Sequence, residues 1–144
     1  MESPQTLQQR IVDDFSGCSD WDARYQKIIA LGRTLPELPE ALKTEENQVK
    51  GCQSQVWLAA SLNEQQRVYF QADSDAMLVR GLIALLLQVY SDQPPEEILR
   101  TEPTFLEAIE LTKNLSMQRN NGLAAVLKQI KLYALAFQYQ LQNA

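Results

Sequence analysis

Apolar residues recur along this chain with two different periods, and the changes of period mark its organisation. Leu7, Ile11 and Phe15 fall at i, i+4 and i+8, the spacing of one helix face. Ser3 before Pro4 predicts the start of that helix, because a proline in the first helical position gives up only an N–H without an intrahelical partner. Gly17 predicts its end. Ser19-Asp20-Trp21-Asp22 reads as a capping-box variant, with a carboxylate three residues after the hydroxyl. Trp21, Tyr25, Ile28 and Ile29 give a second helix its buried stripe, and Gly32 fits its C-terminal cap. The two helices are expected to pack as a hairpin.

Leu35-Pro36-Glu37-Leu38-Pro39 is excluded from helix, since each proline drives its predecessor into extended geometry. From there to Lys50 the residues are polar and charged, which predicts a surface loop with a short strand near Val49. The period then becomes two. Val56, Leu58, Ala60 and Leu62 alternate with Trp57, Ala59 and Ser61, and Val68, Phe70 and Ala72 alternate with Arg67, Tyr69 and Gln71. Joined by a turn at Asn63-Glu64-Gln65-Gln66, these runs predict an antiparallel hairpin.

Asp73-Ser74-Asp75 is expected to open the next helix with cap oxygens and negative charge. Between Ala76 and Tyr90 only Arg80, Gly81 and Gln88 interrupt the apolar residues, the pattern of a core helix. Pro94-Pro95-Glu96-Glu97 starts a short helix through Leu99. Pro103 to Thr112 offers another, with Phe105, Leu106 and Ile109 facing inward. Leu123, Val126, Leu127, Ile130, Ala134, Phe137 and Leu141 form one stripe of a long C-terminal helix capped by Ser116. Helices, hairpin, then helices predict an α+β fold in one domain spanning 1–144, with a small antiparallel sheet of about three strands covered by helices.

Composition narrows the function classes. The 144 residues suffice for a hydrophobic core without disulfide staples, and 45% apolar with 22% charged residues is a globular profile. The longest apolar run, Leu82 to Leu87, falls far short of the roughly 18–20 residues that cross a bilayer. Met1-Glu2-Ser3-Pro4-Gln5 has neither the basic nor the apolar region of a secretory signal, so a cytoplasmic location away from membranes is expected. The net charge is −5 and the 13 Lys and Arg residues are scattered, which argues against nucleic-acid binding.

Two cysteines without a leader imply a reducing compartment; a Cys18–Cys52 disulfide is the alternative, although nothing in the sequence requires it. The chain contains no histidine. Cys-His and Ser-His hydrolases thereby lose their general base. Histidine-based zinc sites are absent too, and two thiols cannot complete a Cys₄ zinc site or a four-thiolate iron–sulfur cluster.

Cys52, in Gly51-Cys52-Gln53-Ser54-Gln55-Val56-Trp57, admits two descriptions. It is a small buried hydrophobe at a strand start, or a loop thiol presented to a partner. Gly51 permits unusual backbone geometry and close approach. Lys43 and Lys50 bring positive charge that would favour the thiolate, and Gln53 and Gln55 are not core residues. Cys18 is a helix-junction residue. Arg119, in the first turn of the last helix, opposes the helix dipole, so it is either solvated and ion-paired or aimed at a partner.

These blocks together resemble the SufE family of sulfur-acceptor proteins, which includes the CsdE branch. The resemblance rests on Gly51 to Trp57 preceded by Leu35-Pro36-Glu37-Leu38. It continues in Asp73-Ser74-Asp75 followed by Val79-Arg80-Gly81-Leu82-Ile83-Ala84, and in Arg119 with Gly122-Leu123. It implies a protein that takes a persulfide sulfur from a cysteine desulfurase of the SufS or CsdA kind and stimulates that enzyme. The sulfur then passes to an iron–sulfur scaffold or another acceptor. Pyridoxal phosphate would belong to the desulfurase, not to this chain.

By the same resemblance Cys52 carries the persulfide, Asp75 supports the loop nearby and Arg119 faces the desulfurase, with Lys50, Gly51 and Gln53 completing the interface or loop. Met117-Gln118 stands where the family more usually has Pro-Ser. The family fold is also that of IscU-type scaffolds, so an IscU-like iron–sulfur or zinc scaffold is the alternative. One motif thiol, rather than three, favours the carrier. Thiolate exchange needs no general base once the acceptor is ionised, which suits a histidine-free chain. Cys52 is expected to rest against an apolar pocket and to swing out on Gly51.

Overall fold

The computed structural model describes residues 2–143. Strand β1 (Val56–Leu62) pairs antiparallel with β2 (Val68–Ser74), setting Val56 opposite Ser74 and Leu62 opposite Val68. Val56, Leu58, Val68, Phe70 and Ala72 are buried, as the period of two requires. The turn lacks glycine, and Gln66 takes the left-handed conformation instead (φ 61°). Asn63 Oδ1 secures it by accepting the N–H groups of Gln65 and Arg67.

The expected third strand near Val49 is reduced to one bridge, Gln48 with Trp57; a second lone bridge joins Val68 to Gln93. Among the described residues the sheet therefore has two strands rather than three. The segment cannot extend because Gly51 turns the chain with φ 89°.

Helix α1 (Pro4–Ser16) starts at Ser3, whose hydroxyl accepts the Thr6 N–H. Helix α2 (Trp21–Thr34) departs from expectation at both ends. Asp20, not Ser19, is the cap, accepting the Ala23 N–H, and the helix runs past Gly32. Gly32 is instead buried where α2 crosses α3 (Met77–Tyr90). A Cβ on Gly32 would lie 2.5 Å from the Met77 carbonyl oxygen, and one on Gly81 would lie 2.0 Å from that of Ile28. Two glycines thus let the backbones touch. Helices α1 and α2 each lie on α3 rather than forming a self-contained hairpin. Lys27 still links them, donating to the Asp14 carbonyl and sitting 5.3 Å from the Phe15 ring centre.

Asp73-Ser74-Asp75 does not cap α3. Strand β2 continues to Ser74, and Ala76 holds the cap position without a side-chain bond. Asp73 is committed inward. Arg80 donates to Asp73 Oδ1 and to the Gly32 and Leu35 carbonyls, while Leu38 N–H donates to Asp73 Oδ2 at 3.1 Å. Lys43 Nζ lies 3.6 Å from the same carboxylate. Burial opposes ionisation of Asp73, but the N–H donors of Leu38 and Ser74 and the charges of Arg80 and Lys43 outweigh it, so its pKa lies below the ordinary carboxylate value.

Helix α4 (Pro95–Arg100) follows as expected. The helix predicted from Pro103 to Thr112 is split into α5 (Phe105–Ala108) and α6 (Leu111–Asn114), because Glu110 takes φ 65° between them. That break lets Phe105, Ile109 and Leu111 all reach the core. Helix α7 (Met117–Gln142) is capped by the Ser116 hydroxyl on Arg119 N–H and buries Leu123, Val126, Ile130 and Ala134 against α3, α4 and β1. No described helix is long and apolar enough to cross a membrane.

Gly81→Ala should destabilise the fold by about 2–3 kcal/mol, since its methyl group would meet backbone that cannot rotate away. Gly17→Ala, with nothing within 4 Å and an ordinary helical φ of −77°, should be neutral or slightly stabilising. Urea unfolding of both variants tests the crossing; equal effects would refute it.

Candidate functional site: the Cys52 loop

The loop bearing Cys52 begins and ends in hydrogen bonds. Val49 N–H donates to the Val56 carbonyl at 2.8 Å, closing the stem. Gln55 is clasped from both sides by Asp75: its N–H donates to Asp75 Oδ1 at 3.0 Å, and Asp75 N–H donates to its carbonyl at 3.3 Å. Between stem and clasp, Gly51 adopts φ 89°, a conformation that side chains rarely accept. A Cβ at Gly51 would also touch the Ala125 Cβ, 3.6 Å away on α7.

That turn points the thiol inward. Cys52 Sγ donates to the Gly122 carbonyl of α7 at 3.6 Å, and the side chain is half-buried. A side chain at 122 would begin 3.6 Å from the sulfur, so glycine leaves open space there. The thiol borders a cavity of about 60 Å³. Its floor is apolar, formed by Val56 of β1, Val79, Leu82 and Ile83 of α3, and Leu123 and Val126 of α7; Gln53, Ser54, Gln118 and Arg119 make the mouth polar.

Burial pushes the Cys52 thiol above its ordinary pKa of 9.0, because a low-dielectric wall disfavours the thiolate. The expectation that Lys43 and Lys50 favour the thiolate is therefore not met at rest. Lys43 is engaged by Glu40 and Asp73 and lies 5.4 Å from the Trp57 ring centre. Lys50 is exposed, with Nζ 3.5 Å from Gln48 Oε1. The thiol is stored protonated.

The structure brings Cys52, Gly51, Gln53, Asp75 and Arg119 to one region. Gln53 and Arg119 are exposed at the mouth, Asp75 works through Gln55, and Lys50 flanks the loop outside the cavity. Cys18 lies apart, in the turn between α1 and α2; both cysteines are free, which removes the disulfide alternative. The scaffold alternative needs further ligands. Among the described residues no group of three His, Cys, Asp or Glu side chains is placed to hold a metal ion.

Sequence reasoning missed that Gly122 abuts the thiol and that α3 supplies the floor. The signal for the first is a glycine inside a strongly periodic helix, which usually has a packing or functional reason. The second carries none, because Val79, Leu82 and Ile83 look like any core residues.

Known proteins resemble this chain over most of its length. The sequence profile of SufE, described as an Fe–S metabolism associated domain, matches residues 9–134. An uncharacterized SufE-like protein of Rhizobium etli is 44% identical over 126 residues, 85% of either chain. Another from Rhizobium meliloti is 41% identical over 130 residues, 88% of this chain and 93% of the relative. The chloroplastic/mitochondrial SufE-like protein 1 of Arabidopsis thaliana is 42% identical over 93% of this chain, but this stretch is only 36% of the plant protein. The solution structure of a hypothetical protein from Thermus thermophilus superposes with a TM-score of 0.77 at 20% identity, covering 96% of this chain and 99% of that one. That likeness speaks to fold.

The half-buried thiol gives a pH signature. Its folded pKa lies above the unfolded value of 9.0, so the stability it contributes is fully present below that pH and is lost as pH rises through the folded value. Between pH 8 and 11, about the thiol range, urea stability should fall more steeply for the native chain than for Cys52→Ser. Parallel curves would refute the sheltered resting position of the thiol.

Proposed function

The chain belongs to the SufE family of iron–sulfur metabolism, and we propose that within it Cys52 is the acceptor of persulfide sulfur from a pyridoxal-phosphate-dependent cysteine desulfurase. The chain stimulates that enzyme and passes the sulfur on for iron–sulfur cluster assembly. The observation that carries this reading is the placement of Cys52: a thiol stored against an apolar cavity, on a loop with a left-handed glycine beside it.

The chemistry is thiol–disulfide exchange with sulfur as cargo. Cys52 loses its proton to solvent as it leaves the cavity, and its thiolate attacks the outer sulfur of the desulfurase's cysteine persulfide. A sulfur–sulfur bond forms at Cys52 Sγ, the donor's sulfur–sulfur bond breaks, and the donor cysteine departs as thiolate. No oxidant and no general base enters the balance. Return of the loop would place the new outer sulfur in the cavity of about 60 Å³, away from competing thiols. Transfer to the next acceptor repeats the exchange with Cys52 as the leaving group.

Arg119 stands at the cavity mouth beside exposed Met117 and Gln118, where a docking desulfurase would meet it. The exposed loop tip, Lys50, Gly51 and Gln53, completes that face. A reducing, cytoplasmic setting belongs to the same proposal, because free thiols persist there.

Incubation with a cysteine desulfurase and cysteine should add one sulfur atom's mass to Cys52. Cys52→Ser should abolish the adduct and Cys18→Ser should retain it, as read by intact and peptide mass spectrometry; equal labelling of both cysteines sinks the assignment. Arg119→Glu should reduce desulfurase stimulation about threefold to tenfold without altering thermal unfolding, as loss of a rim charge does. Unchanged stimulation would remove Arg119 from the interface.

A further inference from the structure

We infer that Tyr133, far along α7 from the cavity, is a positioning residue that staples the stem of the Cys52 loop and so governs how readily the thiol leaves its resting place. The stem is slight. Two backbone hydrogen bonds join its limbs, Val49 N–H to the Val56 carbonyl and Leu58 N–H to the Asn47 carbonyl, both 2.8 Å. Tyr133 reaches across both limbs: its hydroxyl lies 3.1 Å from the Leu58 carbonyl oxygen and 3.3 Å from Asn47 Oδ1. With one proton it donates to one acceptor at a time, and either choice ties α7 to the stem.

Asn47 spreads that tie. Its N–H donates to Thr44 Oγ1 at 3.2 Å and its Nδ2 to the Leu42 carbonyl at 2.8 Å, anchoring the limb to the short 3₁₀ turn Glu40–Leu42. The Tyr133 ring is fixed edge-to-face on Phe70, with centroids 6.4 Å apart, so the hydroxyl is aimed rather than free to wander. Helix α7 also presents Gly122 to Cys52 and Ala125 to Gly51. One rigid helix therefore grips the loop at its tip and at its stem. Losing the stem grip leaves two backbone bonds, the Asp75 clasp and the tip contacts with Gly122 and Ala125 to hold the thiol in.

Tyr133→Phe removes only the oxygen and keeps the ring on Phe70. Alkylation of the whole chain by iodoacetamide, followed at each cysteine by peptide mass spectrometry, reads the result. Cys52 should react about fivefold faster, the factor that one net hydrogen bond sets in an opening equilibrium. Cys18 serves as internal control and should not change. The pH midpoint of Cys52 alkylation should also fall toward that of an ordinary thiol. Arg119 of α7 is the charged group lining the Cys52 cavity, with Lys50 on the loop outside it and Asp75 clasping Gln55, while Val79, Leu82 and Ile83 of α3 bring none; the variant alters none of them. Tyr139→Phe, at an exposed ring of the same helix, should reproduce neither effect.

An unchanged Cys52 rate, or an equal rise at both cysteines, would overturn the inference. The first means that the hydroxyl does not hold the loop; the second means that its loss loosens the whole fold. Under the proposed relay Cys52 is the sulfur acceptor, but alkylation reads only the thiol's position, so the two fail separately: the relay by persulfide mass, the staple by alkylation.

Discussion

Asp73 and Arg80 form a charge pair between the hairpin and the central helix, and four separate segments are fastened to it. The side chains are 8% and 11% exposed. At that depth an ion pair is tolerable only if its remaining polar atoms are satisfied. Here Leu38 and Ser74 donate backbone N–H groups to the carboxylate, while Arg80 directs its other donors to the carbonyls of Gly32 and Leu35. The end of α2, the proline-rich segment, β2 and α3 thereby share one electrostatic knot. Removing either charge would strand the other, a loss of about 3–5 kcal/mol.

The proline-rich segment held by that knot leads directly into the stem of the Cys52 loop. Beyond the stem, whose Val49, Val56 and Leu58 are buried, the loop tip is held inward by the Asp75 clasp and by the 3.6 Å contact of the half-buried thiol with Gly122. Few polar bonds thus hold the loop tip, and segments with few buried contacts open locally at the least cost. Shelter raises the thiol's pKa, and a protonated thiol is a poor nucleophile. Shelter and reactivity are exclusive in one conformation, so a carrier of reactive sulfur needs two.

Much of this was legible in the residues. The period of two in Val56–Leu62 and Val68–Ser74 marked the hairpin, and Ser3 and Ser116 marked their helices, because those signals are local. The misses were places where a residue's duty is tertiary. Gly32 looked like a helix end because glycine commonly is one; its actual work is a backbone crossing that only the partner helix reveals. Asp73 looked like a cap because it precedes a helix, yet an arginine seven residues on claims its carboxylate. Glu110 breaks a helix that its own periodicity supports, since the core needs Ile109 and Leu111 from different directions.

At the site, the heptapeptide around Cys52 pointed to the thiol but could not say which side chains would surround it. Gly122 and Tyr133 lie 70 and 86 positions from their loop partners Cys52 and Asn47, and no spacing rule links such distances. The missing histidine, by contrast, is fully legible, and its meaning sharpens with the geometry. A hydrolase must hold a base beside its nucleophile, so its site is rigid and polar. Exchange between thiols needs only ionisation and access, which solvent supplies once the loop opens. If Cys52 carries sulfur as proposed, the task of its loop is mechanical: to shelter the sulfur, and to let go when a partner competes for the loop.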